Sequence, residues 1–138
     1  MSKTTSAALV ALLLACGVAR AADWVQVNKS SDGKYEYLVD KSSIRIEGGK
    51  KRAWLKTVAS PHTDRGPSPG IYAKKWVSYS LVLYLFDCAK ESTRMASFVI
   101  YFDDGTNLGA PAGGSWESTA PDSAMRPVQE FICAWKPK

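Results

Sequence analysis

The chain has 138 residues and a formal net charge of +5, with 46% hydrophobic and 22% charged residues. That length supports one domain around a single core, and that balance excludes intrinsic disorder. The positive excess is mild and interleaved with acids, which argues against nucleic acid as a partner.

Residues 1–21 read as a secretory signal peptide. Lys3 supplies the charge, 7–15 is an unbroken apolar run, and Ala19-Arg20-Ala21 is a small-x-small cleavage site. The run is far shorter than the ~20 residues a bilayer-spanning helix needs. Cleavage after Ala21 or Ala22 leaves a domain over 23–138, and the loss of Lys3 and Arg20 lowers the charge from +5 to +3. The same segment holds an alternative. Leu13-Leu14-Ala15-Cys16 is similar to a bacterial lipobox, in which Cys16 is lipidated and the membrane is met only through that anchor. On either branch Cys88 and Cys133 remain as an even pair in an oxidising compartment, where a disulfide persists. The competing reading is two unpaired buried thiols.

In chain order, 24–27 alternates as a first strand, and 28–34 is a turn by composition. Asn28-Lys29-Ser30 within it has the form of a glycosylation sequon. A second strand over 35–40 sets Tyr35, Tyr37 and Val39 against Glu36, Leu38 and Asp40. A short piece at 44–46 and the turn Glu47-Gly48-Gly49 lead into a strand over 53–58. The stretch 60–70 holds three prolines and two glycines and is a loop. The central strand is 76–88. Val77, Tyr79, Leu81, Leu83 and Leu85 form its unbroken apolar face, expected to be fully buried, and Ser78, Ser80, Val82, Tyr84 and Phe86 form the other. After a polar connection, 95–102 is a further strand, and Asp103-Asp104-Gly105 turns the chain. The stretch 107–115, rich in Gly, Ala and Pro, is expected to be a mobile loop.

The tail changes period. Met125, Val128, Phe131, Ile132 and Trp135 recur at helical spacing, with Asp122 or Ser123 as N-cap and Pro127 confined to the first turn. The fold class is therefore α+β: an antiparallel sheet of five to six strands with a C-terminal helix packed on it and one disulfide.

The layout resembles the bacterial surface-adhesin protein E family. The matching residues are Trp24, Tyr37 with Asp40, Ser43-Ile44, Ala53-Trp54-Leu55, Phe86-Asp87-Cys88, Arg94, the strand end at 101–105, Trp116, Pro121-x-Ser123 and Cys133. The resemblance implies the same sheet-plus-helix fold and a Cys88–Cys133 bridge. It also implies an envelope or surface protein whose founding member binds host extracellular-matrix and plasma proteins.

The residues for chemistry are sparse. His62, the one histidine, sits in the Pro/Gly-rich loop, with no rigid frame to hold it for catalysis or metal binding. Asp103-Asp104-Gly105 lacks the oxygen spacing of a calcium loop and reads as a hairpin turn. Gly48-Gly49 and Gly113-Gly114 do not lead from a strand into a helix, so they are not phosphate loops. No catalytic residue, metal site or cofactor is expected. The remaining candidates are the basic clusters Lys50-Lys51-Arg52 and Lys74-Lys75, each at a strand start, which would share one sheet edge if those strands align. Such a patch suits a protein or glycan ligand, whereas lysines at strand ends also serve to block edge pairing. Trp54, Trp76 and Trp116 are expected to fill the core. The functional expectation is an exported binding protein of the adhesin type. The alternative is a periplasmic accessory or inhibitor-like protein that binds another envelope protein, again without catalysis.

Overall fold

A computed structural model describes residues 21–60 and 75–137. The leader, Cys16, His62 and Lys74 lie outside them. Eight strands form one antiparallel sheet: β1 (Trp24–Lys29), β2 (Tyr35–Asp40), β3 (Arg45–Glu47), β4 (Lys50–Ala59), β5 (Val77–Asp87), β6 (Ser92–Phe102), β7 (Asn107–Pro111) and β8 (Glu117–Ser118). The main path is β1-β2-β4-β5-β6-β7, with β3 beside β4 and β8 beside β6. The antiparallel sheet is as expected, and its eight strands slightly exceed the five to six anticipated, with six on the main path and two short ones beside it.

Local chemistry accounts for the turns. Gly48 and Gly49 both take positive φ (56° and 74°), the geometry a two-residue hairpin needs between the paired Glu47 and Lys50. Between β2 and β3, a 3-10 turn at Lys41–Ser43 is held by Asp40. Its Oδ1 accepts from the Ser42 and Asp23 backbone N–H groups at 3.0 and 2.9 Å.

The helix α1 (Met125–Ala134) spans about three turns. It lies on one face of the sheet, over a core of Val39, Ile44, Ala53, Leu55, Phe86, Val128 and Ile132. Cys88 and Cys133 are bridged, with Cα atoms 5.7 Å apart.

Four expectations are corrected. First, the covered face of β5 is that of Val82, Tyr84 and Phe86, which stand opposite Leu55, Ala53 and Lys51, whereas Tyr79, Leu81 and Leu83 are half-buried on the side without the helix. Cys88 continues the alternation of Tyr84 and Phe86, so the bridge to Cys133 brings the helix to that side. Second, 107–111 is the strand β7 rather than part of a loop. Small residues suit it: a Cβ at Gly109 would stand 3.0 Å from the Phe98 carbonyl and from Val99 Cγ2. Third, neither Asp122 nor Ser123 caps the helix. The N-cap is Ala124, without a side-chain bond, and Ser123 Oγ instead donates back to the Ala120 carbonyl at 2.8 Å. Fourth, Trp116 is 40% exposed, with the Arg94 guanidinium 5.4 Å from its ring centre. Trp54 and Trp76 are half-buried, outside the helix-covered core.

Candidate functional site

The antiparallel register of β4 and β5 decides where the basic residues go. Lys51 stands opposite Phe86, near the end of β5, while Lys75 precedes the start of β5. The two clusters therefore sit at opposite ends of the strand pair and do not share an edge.

Each described member of these clusters has a partner within the fold. Lys50 Nζ meets Asp87 Oδ2 at 2.6 Å, and the Asp87 side chain is 6% exposed. The hydrogen bond from Lys50, with one from the Lys90 N–H, holds the Asp87 carboxyl below the ordinary carboxylate range despite its burial. Lys51 Nζ donates to the carbonyls of Ile132 at 3.0 Å, Cys133 at 2.7 Å and Trp135. It thereby meets the orphan carbonyls at the helix C-terminus and places its charge at the negative end of the dipole. Burial pushes its pKa down, and Lys136 nearby adds to that. Arg52 pairs with the exposed Glu47 at 3.1 Å. Lys75 reaches Asp104 at 2.9 Å and Thr106 Oγ1 at 2.9 Å, and the hydrogen bond from the Thr106 hydroxyl, followed by that from Lys75, brings the Asp104 carboxyl to about 2.

Two further cations stand together elsewhere. Lys41, Arg45 and Asp23 line an open cleft of about 560 Å³ at the helix C-terminal end, with Ile44, Ile46 and Trp135 as its apolar lining. Arg45 Nη1 donates to the Ile44 carbonyl at 2.7 Å, and among the described residues neither Arg45 nor Lys41 forms an ion pair. Ile46 is 59% exposed. The sequence contained a signal for this cleft. Lys41 and Arg45 bracket Ser42-Ser43-Ile44 directly after Asp40, but only the fold brings Trp135 from the far end of the chain to meet them. Among the described residues no group of three or more His, Cys, Asp or Glu side chains could hold a metal ion, and no helix is long and apolar enough to cross a membrane.

The architecture defines a small α+β domain in which one antiparallel sheet is stapled to one helix. A family model described as Surface-adhesin protein E matches residues 24–134, and the chain belongs to that family. It is similar to the structure of Haemophilus influenzae protein E, with a TM-score of 0.52 and 17% identity over 85% of this chain and 91% of that one. Crystal form II of the same protein gives 0.51 and 19% over 83% and 89%. At these identities the likeness speaks for the fold alone. No curated protein matches the chain.

Proposed function

We propose that this surface-adhesin-like protein is exported behind the 1–21 leader and works by recognition rather than catalysis. In this reading it engages a polyanionic ligand, an acidic segment of a matrix protein or a sulfated glycan, at the cleft between Lys41 and Arg45. The carrying observation is that, among the described residues, these two cations form no ion pair and line a cleft with the exposed Ile46 and with Trp135, while Lys50, Lys51 and Arg52 are engaged in the fold. Membership of an adhesin family supports a surface or exported setting. The Cys88–Cys133 bridge is in keeping with an oxidising compartment.

The test is binding to heparin and to immobilised matrix proteins at low and physiological salt. The double variant Lys41→Glu/Arg45→Glu should weaken binding at least tenfold and flatten its salt dependence. Unchanged binding after that reversal, or no binding by the parent at low salt, rejects the cleft. Fractionation of cells then distinguishes a surface protein from the periplasmic accessory role, and the mass of the mature chain distinguishes plain cleavage from acylation at Cys16.

A further inference from the structure

Among the described residues two carboxylates are buried, Asp87 at 4% exposure and Asp40 at 8%, and their surroundings differ. Asp87 has the Lys50 ammonium at 2.6 Å. Asp40 forms no ion pair among the described residues. Its Oδ1 accepts instead from three neutral donors, the Asp23 N–H at 2.9 Å, the Ser42 N–H at 3.0 Å and the Ser42 hydroxyl at 2.6 Å. Buried charges are paired as a rule, because desolvating an ion without a countercharge is costly. Asp40 thus lacks the cation that its burial calls for.

The bond from Asp23 points to the source of that charge. Asp23 is held on both sides, since its N–H donates to Asp40 and its carbonyl accepts from the Lys41 N–H at 2.8 Å. Trp24, the next residue, stands opposite Asp40 in the β1–β2 pair. Ala21 and Ala22, immediately before, are exposed. While the leader is attached, the nitrogens of Ala22 and Asp23 are neutral amides. Removing the leader turns one of them into an ammonium group. Cleavage after Ala22 makes it the Asp23 nitrogen, already 2.9 Å from Asp40 Oδ1. Cleavage after Ala21 makes it the Ala22 nitrogen, which lies one residue, at most about 3.6 Å, from that of Asp23. Either can approach the carboxylate within the about 4–6 Å over which opposite charges favour one another.

We propose that Asp40 is the partner of the α-ammonium released by leader removal, so that processing completes a buried ion pair at the start of β1. The inference rests on the proposed export and cleavage of the leader and adds what cleavage does to the fold. Its consequence reaches the candidate cleft. Asp40 caps the turn Lys41–Ser43, and Asp23, Lys41 and Ser42 line that cleft. The pair fixes the turn that presents Lys41, and it cancels the negative charge of Asp40 beside a site meant for anions. The precursor, with amides at 22 and 23, gains neither effect. An acylated chain starting at Cys16 has no ammonium at either position.

The mature protein from the exported fraction is compared with the same chain extended by Gly-Ser-Gly-Ser ahead of its first residue, each with and without Asp40→Asn. Asparagine keeps the cap and the acceptor oxygen and removes the charge. At about pH 6, below the ordinary α-amine value of about 7.7–8.0, the contribution of the ammonium is full. It is lost as pH rises through the raised folded value. The extension should raise the unfolding equilibrium constant about tenfold in the parent and less than about twofold in Asp40→Asn. An NMR titration of the first residue should place its α-amine about one pKa unit higher in the parent than in Asp40→Asn, the same tenfold in linked form. The Asp23 carboxylate favours the ammonium, and Lys41 and Arg45 oppose it, so the difference between the two backgrounds is the measure. Equal pKa values in both, or an extension effect of equal size in both, would overturn the proposal and leave export untouched. A chain whose intact mass shows that it begins at Cys16, or keeps its leader, would overturn both readings.

Discussion

The two faces of this sheet are built from similar residues and do different work. On the face beneath the helix, Val39, Ala53 and Phe86 are fully buried against Val128 and Ile132. On the other face, Tyr79 stacks on Tyr101 with ring centroids 4.4 Å apart, and Lys56 Nζ lies 4.5 Å from the Tyr79 ring and 5.8 Å from that of Trp24. Hydrocarbon side chains with no polar atoms, aliphatic or phenyl, suit the dry side. Rings beneath an ammonium group suit a side that keeps some contact with water. Hydrophobicity alone therefore does not distinguish the faces. The position of the helix does: Val128 and Ile132 pack on one face, and Cys133 is bridged to Cys88 just past the end of β5.

That contrast can be broken in a graded way. Phe86→Ala should cost about 3–5 kcal/mol, because it opens a cavity beneath the helix. Chemical denaturation measures it, and a cost no larger than that of an exposed residue would mean the helix does not seal that face. Removing the bridge with Cys88→Ser/Cys133→Ser should cost up to about 4 kcal/mol for a separation of 45 residues. Its main structural consequence should be faster amide exchange across 125–134.

Lys51→Met should cost about 2 kcal/mol, since the helix carbonyls of 132, 133 and 135 lose a charged donor that methionine cannot replace. Thermal melting checks it, and a neutral outcome would return Lys51 to the pool of residues available for a ligand. On the other face, Tyr79→Ala should cost only about 1 kcal/mol, the value of a stacked ring pair.

The smallest effect at neutral pH becomes visible in acid. The Asp87 carboxyl lies below its ordinary value when folded, so its contribution is full above about pH 4, the unfolded value. That contribution is lost as pH falls through the lowered folded value. Lys50→Met removes the main cause, so the acid limb of its stability profile should move to higher pH than in the parent. Overlapping acid limbs would show that Lys50 does not hold Asp87.

These comparisons also explain what could be read from the residues alone. Alternation in 35–40 and 95–102 placed β2 and most of β6, and helical spacing from Met125 placed α1, because each signal is local. The covered face of β5 was misjudged because alternation separates two sides without saying which one receives a helix. The strand β7 was missed because Gly109, Ala110 and Pro111 have low strand propensity, and pairing with β6 overrides it. The basic clusters were legible as charge, but their partners were not. Asp87, the carbonyls at 132–135 and Asp104 reach them only through tertiary register. The Lys41–Arg45 cleft needed Trp135 from the other end of the chain.

Peptide mapping without reduction, on protein recovered from the exported fraction of cells, tests the central claim most directly. It should find the peptides containing Cys88 and Cys133 joined, in a chain that begins near Asp23. Recovery of both peptides singly, each with an alkylated thiol, would contradict it, for the covalent tie between the helix and the end of β5 would then be missing.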